Sequence, residues 1–129
     1  MKKKKWQTIP RTKEKAIAEA KRFLKNTKEI LAKVKIEYGG YTDPKYVSEA
    51  AGIAYLAVLK AIDGYLLGKG ISLEKLPTSI EEYFSVISRI PKNGKLKAYL
   101  STAYYYRGGE SVDMVKAGIK SVEEIIKML

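Results

Sequence analysis

The 129-residue chain, 46% apolar and 30% charged, is sized for one domain burying roughly 65–70% of its unfolded surface, and its composition is neither disordered nor that of a bilayer protein. It contains no Cys and no His, which excludes disulfides, thiol nucleophiles, Cys/His zinc sites and His-based relays and leaves only Asp, Glu, Lys or Tyr as a general base; neither a cofactor nor enzymatic activity is expected. The net charge of +11 sits at one end: residues 1–35 carry 13 Lys/Arg against three Glu, and the other 94 residues carry 12 basic and 11 acidic side chains.

Met1–Pro10 lacks a helical period and reads as a flexible basic lead-in to a single domain over residues 11–129. Lys2–Lys5 is followed by Gln7, Thr8 and Pro10 where a secretory leader needs an apolar run, so a cytoplasmic protein with no membrane contact is expected. From Arg11 a long helix is predicted. Ala16, Ile17, Ala20, Phe23, Leu24, Thr27, Ile30, Leu31 and Val34 form its apolar stripe, and Tyr38-Gly39-Gly40 is its stop.

Asp43-Pro44 opens a second helix, as N-cap and first-turn proline, that runs to about Leu67. Ala50, Ala54, Ala57, Ala61, Gly64 and Gly68 line one face, which lets another helix backbone come close. Val47, Tyr55, Val58, Leu59, Ile62 and Leu66 line the other, so this apolar stretch reads as a core helix rather than a bilayer span. Ser79 and Glu82 make a capping box for a third helix bearing Tyr83, Phe84, Ile87 and Ile90. A short fourth helix is predicted over Lys95–Tyr106, broken by Arg107-Gly108-Gly109. A last one starts near Ser111 and carries Val112, Val115, Ile119, Val122, Ile126 and Leu129. No segment has strand periodicity. The expected fold is all-α, an antiparallel bundle of about five helices.

The order of these elements is the basis of a resemblance. A long amphipathic helix is followed by the alanine-rich Ala50–Ala57 segment ending at Leu67-Gly68-Lys69-Gly70, then by Tyr104–Gly109, then by a final amphipathic helix. Over about residues 12–128 this resembles the HEPN-like helical bundles, including the substrate-binding partners of minimal nucleotidyltransferases. Many members of that superfamily are ribonucleases with an Arg followed by a His. Arg89 and Arg107 stand here without any His, so that activity does not carry over. Other members bind nucleotides or partner proteins without catalysis. The resemblance therefore implies a noncatalytic module whose partner is a nucleotidyltransferase-like protein or a nucleotide. Tyr105, Tyr106, Arg107 and Glu110 fall where some members carry a Tyr-Arg turn, with Gly108-Gly109 as a departure.

Five constellations have both a bland and a functional reading. Tyr105, Tyr106 and Arg107 either cover neighbouring helices and a helix C-terminus, or stack on a base and pair with a phosphate. Lys60 and Asp63 are either an i,i+3 pair on a solvated strip or the lining of a polar pocket for an anion. Lys2, Lys3, Lys4, Lys5 and Trp6 are a solvated tail or a basic–aromatic arm that would make this a nucleic-acid-binding protein. Met114, Gly118, Ile125 and Met128 form a second apolar line on the last helix, expected to be the seam of a homodimer. The doublets Glu81-Glu82 and Glu123-Glu124 point about 100° apart on a helix and cannot chelate one ion alone, so no metal site is expected. A nuclease acting through carboxylates and Arg107 is the remaining enzymatic alternative.

Overall fold

The computed structural model describes residues 12–90, 94 and 112–129. The predicted Lys95–Tyr106 helix and Met1–Pro10 lie outside those residues. Four α-helices are described: α1 (Lys13–Ala32), α2 (Pro44–Gly68), α3 (Ile80–Ser88) and α4 (Val112–Met128), with a short 3₁₀ turn at Leu73–Lys75. The molecule is an all-α bundle, as its periodicities require.

Thr12 caps α1 by accepting from the Lys15 N–H at 3.2 Å. The helix closes at Ala32 rather than at Tyr38, because residues 36–41 form a small antiparallel hairpin that the sequence reading missed. β1 (Ile36–Glu37) pairs with β2 (Gly40–Tyr41) around Tyr38-Gly39. Both apex residues have positive φ, 52° and 77°, the pattern of the type I′ turn whose twist matches paired strands.

Helices α1 and α2 are antiparallel and very close. A Cβ built on Gly64 would lie 3.0 Å from the Ala16 Cβ and 3.3 Å from the Lys13 carbonyl. At the other end the buried Thr27 hydroxyl donates across the seam to the Ala50 carbonyl at 3.3 Å. Ala16, Ala20, Ala50, Ala57 and Ala61 are all essentially inaccessible, as the small-residue stripe leads one to expect. Helix α2 ends in a Schellman motif: Gly70, with φ +88°, donates to Leu67 while Ile71 donates back to Leu66. By length and composition α2 is the one described helix apolar enough to cross a membrane, but within the fold it is the central core helix.

α3 starts at Ser79, whose hydroxyl accepts from the Glu82 N–H at 3.2 Å. The return half of the capping box is displaced by one residue. Glu82 accepts from the Thr78 backbone N–H at 2.6 Å instead of from Ser79. α4 runs alongside α2, with Val115 in a small cluster with Leu31, Val47 and Ala50, and Val122, Ile125 and Ile126 in the main core. Its N-terminus is tied to the hairpin, where the Val112 N–H donates to the Gly39 carbonyl at 3.2 Å.

Candidate functional site

Among the described residues, two places gather chemistry-bearing side chains. The first is inside the bundle. Asp63 faces inward from α2 and is only 9% exposed, so the solvated Lys60–Asp63 strip is corrected: the carboxylate is buried and its partner lies on another helix. The Tyr83 hydroxyl, from α3, donates to Asp63 Oδ1 at 2.9 Å. Burial raises the Asp63 pKa to about 6, against smaller downward pulls from the Tyr83 hydrogen bond and the Lys60 charge. Burial and the adjacent Asp63 also push the Tyr83 phenol well above its usual range, so it stays a neutral donor. Such a pair fixes α3 against α2 and lets Asp63 take up a proton as pH falls through about 6. The sequence offered no signal for it, since Tyr83 reads as an ordinary core aromatic twenty residues away.

The second place is a groove of about 640 Å³ on the outside, between the end of α1, the hairpin and α4. Leu31, Ile36, Tyr41 and Ile119 supply apolar surface, and Lys28, Lys116, Lys120 and Lys127 stand around it. Burial also raises the pKa of the Tyr41 phenol. Lys28 pairs with Glu123 at 2.6 Å, linking α1 to α4, and Lys127 pairs with Glu124 at 3.8 Å. Among the described residues Lys116 and Lys120 have no ion-pair partner, so the groove keeps a net positive charge. On the far side of Val34, a second groove of about 560 Å³ has Lys33 and Lys35 offset by Asp43 and Glu49. Among the described residues no three carboxylates converge on a point where a metal ion could sit.

The other residues singled out in the sequence fall as follows. Tyr105, Tyr106 and Arg107, and Lys2–Lys5 with Trp6, lie outside the described residues. The expected dimer seam is split. Ile125 is fully buried in the chain's own core, while Met114 and Met128 are 42% and 43% exposed. Ile125 is turned inward because α4 packs on both α1 and α2, which brings it into the core beside Val122 and Ile126 while Met114 and Met128 stay outside.

Fold and grooves together define a helical-bundle domain with one buried carboxylate–phenol pair and a lysine-rimmed exterior groove. The chain belongs to the family described as a domain of unknown function, DUF5618, which matches residues 15–129. It is similar to a solved protein of unknown function from Dyadobacter fermentans, 33% identical over 91% of this chain and 95% of that one, with a TM-score of 0.74. No curated protein matches it.

Proposed function

We propose that this protein is a noncatalytic binding module that engages an anionic partner through the face formed by α1, the hairpin and α4. One observation carries the reading: the lysine rim and apolar floor of that groove face solvent, with Lys116 and Lys120 unpaired among the described residues. Cations placed beside apolar surface attract an anion and give its uncharged part somewhere to rest. The buried Asp63–Tyr83 pair is satisfied by its own hydrogen bond and is assigned to structure.

The likeness in element order to HEPN-like bundles supports the same reading. On that likeness the partner is a nucleotide or a nucleotidyltransferase-like protein; the basic stretch Lys2–Lys5 with Trp6 adds a nucleic acid as the alternative. The absence of His argues against the nuclease chemistry of many HEPN-like proteins. Self-association is supported only by the exposed Met114 and Met128, now that Ile125 belongs to the core.

The test is a thermal-shift series with ATP, a short oligonucleotide and heparin, beside neutral sugars, each probe recovered and checked by mass spectrometry. Stabilisation by the anions with every probe recovered intact supports the proposal. Turnover of a probe, or no shift with any anion, overturns it.

A further inference from the structure

We infer that the groove between α1 and α4 is a binding track for single-stranded nucleic acid, an inference that rests on the noncatalytic binding role proposed above. The basic surface is longer than the groove itself. Lys21 and Lys28 are exposed and seven residues apart on α1, which places them on nearly one line, with exposed Lys25 between. Across the groove Lys116 and Lys120 stand one turn apart on α4, about 6 Å along its axis. Glu123 and Glu124 are each engaged by a lysine, so Lys21, Lys25, Lys116 and Lys120 form a strip of cations free of ion pairs among the described residues. A strip running along two helices suits a polymer of phosphates better than a single phosphate.

The floor selects the single strand. Ile36, Tyr41 and Ile119 line the groove together with Lys28, Lys116 and Lys120, and only unpaired bases can turn a face onto them. A duplex would present its backbone and leave that surface wet. At the hairpin end Tyr38 is fully exposed at the apex of the turn, and Ile36 is 52% exposed. An aromatic ring held outward on a tight turn beside a cationic groove provides a stacking platform. The left-handed backbone at Tyr38, φ 52°, disfavours most side chains other than Asn, Asp and Gly, so a tyrosine there is held against local preference.

The experiment is fluorescence anisotropy of the full-length protein with labelled twelve-nucleotide oligo-U and oligo-dT and with a duplex of equal length, over a salt series. The expected result is tighter binding of both single strands than of the duplex. The double variant Lys116→Glu, Lys120→Glu should weaken single-strand binding at least tenfold and flatten the salt dependence. Tyr38→Asn, which suits the left-handed backbone, should weaken it severalfold with less effect on the salt dependence. Lys45→Glu, Lys75→Glu makes the same charge change at exposed sites outside the groove and should change affinity less than twofold. Equal weakening by the two double variants would overturn the track in favour of bulk charge. Loss on replacing Lys2–Lys5 by Ser, with no loss in the groove variant, would overturn it in favour of the N-terminal arm. Electrophoresis of the recovered oligo-U separates the two claims: shortened RNA refutes the noncatalytic reading, and intact but unbound RNA refutes the track.

Discussion

The Tyr83 hydroxyl donates to Asp63 Oδ1 at 2.9 Å, joining α3 to the central helix by a hydrogen bond inside the core. Tyr83 is 7% exposed and Asp63 9%, so neither group can exchange this bond for one to bulk water without local opening.

The pair makes stability depend on pH. The Asp63 pKa is raised from 3.8 to about 6, so between those values the folded state binds more protons than the unfolded chain. Its contribution is therefore fully present below pH 3.8 and is lost as pH rises to about 6, a change of about 3 kcal/mol at most. Asp63→Asn keeps an acceptor for Tyr83 and removes the ionisation. It should raise stability at pH 7.5 by about 1–3 kcal/mol and flatten the Asp63 component between pH 4 and 6.5, measured by urea titration.

Removing the donor should do the opposite. Tyr83→Phe leaves the Asp63 carboxylate buried without its partner and should cost about 1–3 kcal/mol at neutral pH. The same substitution should push the Asp63 pKa further up, because the hydrogen bond now lowers it. An NMR titration of the Asp63 carboxyl checks that direction.

Two glycines of α2 should respond to alanine with opposite signs. At Gly52 a new Cβ meets nothing within 4 Å, so Gly52→Ala should stabilise the helix by about 0.5–1 kcal/mol. At Gly64 the new atom would press on Ala16 and the Lys13 carbonyl, at 3.0 and 3.3 Å, so Gly64→Ala should destabilise by about 1–3 kcal/mol. Thermal denaturation of the two variants side by side measures how close α1 and α2 are.

Ile125 distinguishes core from seam. Being fully buried, Ile125→Glu should abolish cooperative unfolding rather than release a folded monomer, as light scattering with circular dichroism would show. Met114→Glu with Met128→Glu should leave the fold intact, and a fall in mass in that variant would locate self-association at α4.

The four described helices were legible because each carries an apolar stripe at helical spacing. The α1–α2 seam was legible because Ala and Gly recur on one face of α2. The hairpin was hidden because its strands are two residues each, too short for alternation, and because Tyr38 occupies a left-handed position usually given to Asn or Gly. The partner of Asp63 was hidden because hydrogen bonds between helices leave no local pattern. The groove was hidden for the same reason: Lys28 and Lys116 lie far apart in sequence, and each looks like an ordinary charge on a solvated face.

The most direct test of the binding face is residue-resolved NMR. Isotope-labelled full-length protein is titrated with unlabelled twelve-nucleotide oligo-U at low salt, and amide shifts are followed. The account expects the largest changes on α1 around Lys25–Lys28, on the hairpin at Ile36–Tyr41 and on α4 around Lys116–Lys120, with α3 and the Asp63 region unmoved. Changes confined to residues 1–11, or centred on α3, would contradict it.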